Sequence, residues 1–439
     1  MSSVVERLAR YASRTAVVDP GGTWTFDDLA DARVALLCTA GHDFVAGLLA
    51  CWMAGAVAVP LHPPHPDAEL VYVIDDADVS ALVTSAAHRA AGARLAAAAN
   101  SELIVIEPTA TGATSGVDTV SVDMHRPALM IHTSGTTGRP KGVVHTHGSV
   151  AAQVDALLEA WAWSADDRIM LVLPLNHIHG LVNVTLCALA AGACCEAPGG
   201  FDATHVWQRM ASGELTLFMA VPTIYMRLIA AWEQVEAPTQ SPWSAGAGTA
   251  RLMVSGSAAL PVSTLDRWRE ITGQVLLERY GMTELGMVLS NTLARRVPGH
   301  VGAPLPGVEV RVVDDAGRVV DDGQPGELRV RGPNVFAQYW RRPEATAEAF
   351  VDGWFRTGDV AVLEPGGYRL LGRSSVDIIK TGGEKVSALE IEEILRTHDA
   401  VADCAVVGVA DAEWGERVCA AVILLPDAAE TAGSLRAWG

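Results

Sequence analysis

Basic residues are scarce in this sequence. Its 439 residues include 32 Lys and Arg against 51 Asp and Glu, a formal net charge of −19. A surface of that sign repels nucleic acid and acidic membranes, so neither is an expected partner, and a phosphate-bearing ligand needs a local pocket. Residues 1–8 show no basic region followed by an apolar core, so no secretory leader is expected and the cytoplasm is the expected location. Long apolar runs are also missing. The stretch 48–61 is broken by Gly55 and Pro60 and falls short of the ~20 residues a membrane helix needs. The seven cysteines have no C-x-x-C spacing, which argues against a zinc or disulfide framework; most, like Cys38, sit in apolar runs and read as buried, reduced thiols. With 50% hydrophobic and 19% charged residues, the chain is too apolar for disorder and long enough for two or three domains.

Up to about Tyr280, short apolar runs at 34–38, 56–61, 81–84, 103–106, 168–173 and 251–254 read as buried strands. Helical patterns at 44–54, 149–160, 181–191 and 223–232 lie between them, so the expected fold class is α/β with parallel sheets and its chemistry at strand ends. From 297 to 371 the texture changes to Gly- and Pro-punctuated strands (308–313, 326–331, 368–371), which predicts a small barrel or antiparallel sheet. After Gly372 and Arg373 comes a compact α+β piece, with a Gly382-Gly383 turn, a helix over 387–397, strands over 402–409 and 417–424, and a helix starting at 434. The expected domains are a large one over 1–373 (α/β layers 1–296, β-rich subdomain 297–373) and a smaller, incomplete one over 374–439. Residues 238–248 and 109–116 read as surface loops, and 25–32 as a helix.

The most informative segment follows the apolar strand ending near Ile131. Gly135 and Gly138 permit tight turns and exposed N–H groups, Thr133, Ser134, Thr136 and Thr137 supply hydroxyls, and Lys141 supplies a point charge. This composition makes a phosphate cradle. It is not a Walker A loop, because only two residues separate the glycines and Pro140 precedes the lysine.

The 133–141 segment resembles the signature loop of the adenylate-forming superfamily, which includes acyl-CoA synthetases, luciferases and peptide-synthetase adenylation domains. The run 278–284 (Glu-Arg-Tyr-Gly-Met-Thr-Glu) resembles that family's adenine and magnesium segment. The run 353–359 resembles its ribose segment, and Gly372-Arg373 with 377–383 resembles its hinge and following loop. The resemblance implies a two-step reaction: a carboxylate attacks the α-phosphate of ATP to give an acyl-adenylate and pyrophosphate, then the thiol of coenzyme A displaces AMP. It implies catalytic roles for Thr136, Lys141, Glu284 and His177, with Mg2+ held at Thr136 and Glu284. Nucleotide contacts are implied for Thr133, Ser134, Gly135, Thr137 and Gly138 on the phosphates; for Gly256, Ser257, Ala258, Tyr280, Gly281, Met282 and Thr283 around the base; and for Asp359 and Arg373 on the ribose. Gly256 would leave room for adenine, Tyr280 would stack on it, and Gly382 and Gly383 would let the pantetheine arm pass.

The resemblance places Arg279, the residue before Tyr280, at the acyl pocket, where family members acting on fatty or aromatic acids have a small or apolar residue. An arginine there needs an anion, since a guanidinium–carboxylate pair is worth about 1.5–3 kcal/mol and an unpaired buried charge is costly. A short dicarboxylic acid is therefore expected, with Ser255 and His177 as further substrate contacts. The neighbouring runs 173–183, 218–225 and 375–383 are similar to malonyl-CoA synthetases, which implies malonate or methylmalonate as the acid. The pairs His177/His179 and His145/His147 lack the companions a zinc site needs.

The family carries near its C-terminal end a catalytic lysine in a Gly-Lys context. This sequence ends before such a motif and Lys380 and Lys385 do not match it, so greatly slowed adenylation is expected if Gly439 is the true terminus. Two alternatives stand beside the ligase: an enzyme loading an acyl carrier protein, and a nucleotide or CoA binder without turnover.

Overall fold

The computed structural model describes residues 15–19, 22–25, 32–106, 122–133, 139–411, 413–426 and 428–438. The expected loop over 109–116 and most of the expected helix over 25–32 lie outside these residues. The chain divides into two units. Unit one takes Met1–Asp202, Met282–Gly286 and Gly332–Glu348; unit two takes Ala203–Gly281, Met287–Arg331 and Ala349–Gly439.

The main sheet of unit one runs, edge to edge, Gln338–Tyr339, Lys141–Thr146, Pro127–Thr133, Val57–Pro60, Arg33–Leu37, Ala81–Ser85, Glu102–Ile106. From Pro127–Thr133 to Glu102–Ile106 the pairing is parallel, and Lys141–Thr146 folds back antiparallel. The strands with both faces covered are the ones that read as continuous apolar runs: all four residues of Val57–Pro60 are buried. Helices His42–Met53, Asp67–Ala77 and Arg89–Ala99 connect the parallel strands, and Leu37, Val59, Ile74, Leu82, Leu95, Met130 and Val144 meet in one core cluster. The strand expected over 168–173 closes at Met170, paired with Cys194–Glu196. The helix expected over 181–191 starts earlier, as a fully buried π-helix His179–Leu186 continued by Cys187–Ala191.

Unit two carries Leu217–Ala220, Leu252–Ser255 and Leu277–Met282 as parallel neighbours. Beneath them lies an aromatic cluster, in which Trp207 stacks on Trp268 at 5.3 Å and on Trp243 at 5.6 Å, and Tyr225 meets Trp268 edge-on at 5.0 Å. The segment expected as a surface loop over 238–248 is instead the helix Ala237–Gly248. Pro238 sits in the first turn, where a missing N–H is harmless, and burial of Trp243 and Ala247 outweighs the bond lost at Pro242. The β-rich stretch forms an antiparallel sheet of Glu309–Val313, Gly326–Arg331, Trp354–Glu364, Phe350–Val351 and Gly367–Arg373. After it, Ile378–Thr381, Glu384–Ser387, Val401–Asp411 and Gly415–Leu424 make a separate four-stranded sheet. Helix Ala388–Arg396 packs Leu395 into its core with Ile379, Val401, Val406 and Leu435.

Of the seven cysteines, Cys38, Cys51, Cys187 and Cys404 are buried, Cys195 and Cys419 half-buried and Cys194 exposed, all as free thiols. Among the described residues no helix is long and apolar enough to cross a membrane.

Candidate active site

In unit one, Pro127–Thr133 and Lys141–Thr146 form the two legs of a hairpin, with Thr133 opposite Lys141. Ser134, Gly135, Thr136, Thr137 and Gly138 lie outside the described residues. At the foot of the hairpin the Lys141 ammonium stands 5.1 Å from the centre of the Tyr339 ring, and the Tyr339 hydroxyl donates to Glu284 Oε1 at 2.9 Å. Tyr339 thus joins two residues the sequence singles out, and sequence reasoning missed it. Its only advance signal is an aromatic in the short run that adds to the hairpin's outer edge. Glu284 is buried, and its backbone carbonyl accepts from the Phe336 N–H at 2.8 Å. The preceding residue is held as well: His145 Nε2 donates to the Thr283 carbonyl at 2.7 Å. Burial pushes the His145 imidazole down to about 4, so it is neutral at pH 7. His177 is exposed, and burial of part of its ring together with the nearby His65 lowers its pKa. No group of three or more His, Cys, Asp or Glu among the described residues is placed to hold a metal ion.

In unit two, Ser255 ends one strand and Glu278 lies opposite it, so the turn 256–258 and Arg279 come together. Arg279 is 3% exposed. Its Nε and Nη1 are buried without a hydrogen-bond partner, and Nη2 reaches Ser257 Oγ at 3.4 Å. Burial pushes its pKa down to about 9, and the nearby Tyr225 hydroxyl acts the other way. That hydroxyl donates to the Val254 carbonyl at 3.0 Å, which ties the aromatic cluster to the strand end. The space over Gly256 belongs to the guanidinium, since a Cβ there would lie 2.6 Å from Arg279 Cζ. Ser257 adopts a left-handed backbone (φ 71°), a strained conformation that concentrates at functional positions. The Ser255 hydroxyl is buried and unpartnered. Neighbouring Glu278 has its carboxyl pushed up to about 8 by burial, against the Gly299 N–H donated to it at 2.8 Å.

Elsewhere in the same unit Tyr280, Asp359 and Arg373 converge. Asp359 and Arg373 are cross-strand partners, with Arg373 Nε 3.3 Å from Asp359 Oδ1, and the Tyr280 hydroxyl donates to Asp359 Oδ2. Burial raises the Asp359 pKa while the Tyr280 hydrogen bond and Arg373 oppose it. Gly382 and Gly383 form the left-handed turn (φ 58° and 88°) between Ile378–Thr381 and Glu384–Ser387, and a Cβ on Gly382 would lie 2.9 Å from the Trp414 indole.

Residues 30–340 match the model of the AMP-binding enzyme family, and residues 390–438 match that of the AMP-binding enzyme C-terminal domain. A mitochondrial malonate–CoA ligase of Mus musculus is 45% identical over 94% of this chain and 76% of its own length. ATP-bound MatB from Rhodopseudomonas palustris superposes with a TM-score of 0.83 at 32% identity, over 99% of this chain and 91% of that one. A malonyl-CoA ligase in a ternary product complex with methylmalonyl-CoA and AMP gives a TM-score of 0.70 at 37% identity, over 97% and 92%. The chain belongs to the AMP-binding, adenylate-forming enzymes, in the malonate–CoA ligase family.

Proposed function

We propose that this protein joins malonate to coenzyme A at the expense of ATP, through malonyl-adenylate and with release of pyrophosphate and then AMP. The buried, unpaired guanidinium of Arg279 carries the choice of substrate. A monocarboxylic acid would leave that charge uncompensated, whereas the distal carboxylate of a diacid satisfies it with charge-assisted hydrogen bonds. Ser257 stands beside it as a second donor, with Ser255 on the preceding strand end.

The nucleotide roles divide by chemistry. Thr133 and Lys141 at the hairpin feet, with the 134–138 loop, take the β- and γ-phosphates. Asp359, held by Tyr280 and Arg373, takes the ribose hydroxyls, and Tyr280 with Ser257 and Ala258 takes the base, whereas the room over Gly256 that was expected for adenine is filled by the Arg279 guanidinium. Glu284 fits a magnesium ion: a buried carboxylate steadied by one hydroxyl suits a cation that binds through one or two carboxylates and substrate phosphates rather than a protein cage. When bound, that ion screens the phosphate charge as the malonate oxygen approaches. The Gly382-Gly383 turn then admits the pantetheine thiol. Methylmalonate, which adds one methyl group, belongs to the same reading. We take residues 1–373 as the AMP-binding domain and 374–439 as the smaller hinge-linked domain.

The test is malonate-dependent exchange of pyrophosphate into ATP, run on the wild type and on Arg279→Ala. Wild-type exchange is expected. The variant should lose malonate kcat/KM by roughly tenfold to more than a hundredfold, with acetate and propionate activity far less affected. Equal loss on all three acids would assign Arg279 to structure instead.

A further inference from the structure

Helix Asp67–Ala77 carries Tyr72 and Asp76 four positions apart, hence on one face. Both reach the phosphate hairpin, at opposite feet. The Tyr72 hydroxyl donates to the Pro140 carbonyl at 2.8 Å, and the Arg139 guanidinium stands 5.8 Å from the Tyr72 ring centre. Asp76 Oδ2 pairs with His132 Nε2 at 3.1 Å, and Asp76 Oδ1 accepts from Arg342 Nη2 at 2.9 Å. The His132 and Asp76 side chains are 7% and 9% exposed. Burial raises the Asp76 pKa, but His132 and Arg342 more than offset this and hold the carboxyl below its ordinary range. A charged carboxylate only accepts, so His132 carries its proton on Nε2. His132 immediately precedes Thr133 and lies opposite Gly142, where a Cβ would come within 3.3 Å of Nε2. The ring shares the space left by the missing side chain of Gly142 with Met130, whose Sδ would lie 2.9 Å from the same Cβ.

Tyr72, Asp76, His132 and Arg342 lie outside the signature segments, yet they hold the two legs at His132 and Pro140, next to Thr133 and Lys141. Legs fixed in this way hold Thr133 and Lys141 in place before ATP arrives, which lowers the ordering cost of binding at those two residues. We infer that the chain Arg342–Asp76–His132, with Tyr72, is a positioning brace that sets the phosphate hairpin for ATP in the first half-reaction. This rests on the reading that residues 133–141 take the ATP phosphates.

The experiment compares wild type, His132→Leu, His132→Gln, Asp76→Asn and Tyr72→Phe in malonate-dependent ATP–pyrophosphate exchange. A second assay supplies malonyl-adenylate and coenzyme A, a half-reaction without polyphosphate. His132→Leu and Asp76→Asn should raise the KM for ATP about tenfold, the effect of losing one charge-assisted bond. The KM for malonate and the rate of thioester formation from supplied adenylate should stay within about twofold of wild type. His132→Gln, whose amide nitrogen takes the place of Nε2, should recover most of the ATP affinity, and Tyr72→Phe should show a smaller rise. An unchanged ATP KM in folded variants, or equal losses in both half-reactions, would overturn the brace. Calorimetric ATP affinity, measured on the same proteins, decides the brace separately from malonate turnover, so absent exchange in the wild type would favour a nucleotide binder without turnover and leave the brace to the calorimetry.

Discussion

On the substrate reading proposed above, Arg279 carries a stability cost and a binding role on the same atoms. Its guanidinium is buried with two unpartnered nitrogens, and burial pulls its ionisation down to about 9, well below the ordinary arginine value. The folded state therefore binds this proton less tightly than the unfolded chain does. The penalty is present in full below pH about 9 and is relieved as the pH rises from there towards the ordinary arginine value. Arg279→Met, of similar length and apolar, should consequently stabilise the free protein at pH 7 by about 1–3 kcal/mol while removing malonate activation. Urea unfolding checks the gain, and a lower midpoint in the variant would mean that the charge is better compensated than its contacts indicate. Added malonate should raise the wild-type midpoint and leave that of the variant unmoved, because only a ligand that binds the native state stabilises it. The sequence made Arg279 conspicuous through its neighbours Tyr280 and Gly281. It did not reveal Tyr339, because the link from Lys141 to Glu284 runs through a ring that lies 55 positions beyond Glu284.

At the scale of elements, the strands were the most legible part. Arg33–Leu37, Val57–Pro60 and Ala81–Ser85 lie within a residue or two of the apolar runs that announced them, since a strand covered on both faces must be apolar throughout. Helix Ala237–Gly248 was hidden for the opposite reason. Its two prolines and its Gly and Ser content are those of a loop, and the helix exists because Trp243 stacks on Trp207 and Gly246 closes on helix Ala203–Ala211. A Cβ at Gly246 would lie 2.3 Å from the Met210 carbonyl oxygen. Gly246→Ala should therefore destabilise by about 1–3 kcal/mol through overpacking, despite alanine's better helix propensity. A lower urea midpoint with an unchanged slope would show it. A variant at least as stable as wild type would mean that the two helices separate without cost.

For the molecule as a whole, the charge of −19 opposes both of its polyanionic substrates at long range, while Lys141, Arg279 and Arg373 attract at short range. Raising salt from about 10 mM to about 150 mM shortens the screening length from about 30 Å to about 8 Å, which removes mainly the long-range repulsion. The association rate constant of coenzyme A, read by stopped flow, should rise over that range. A fall would mean that the local cations dominate the approach. What the sequence alone determined is the reaction class: a phosphate loop is a short local string of glycines, hydroxyls and a lysine, and its ordered companion segments are equally local, so they are readable without a fold. Tertiary structure decided what each of those groups faces. Whether Arg279 meets an acid, whether Glu284 is steadied by a phenol, and whether His132 stands free or against Asp76 depend on backbone segments that only folding brings within 3 or 4 Å, and contacts at that distance control charge and orientation.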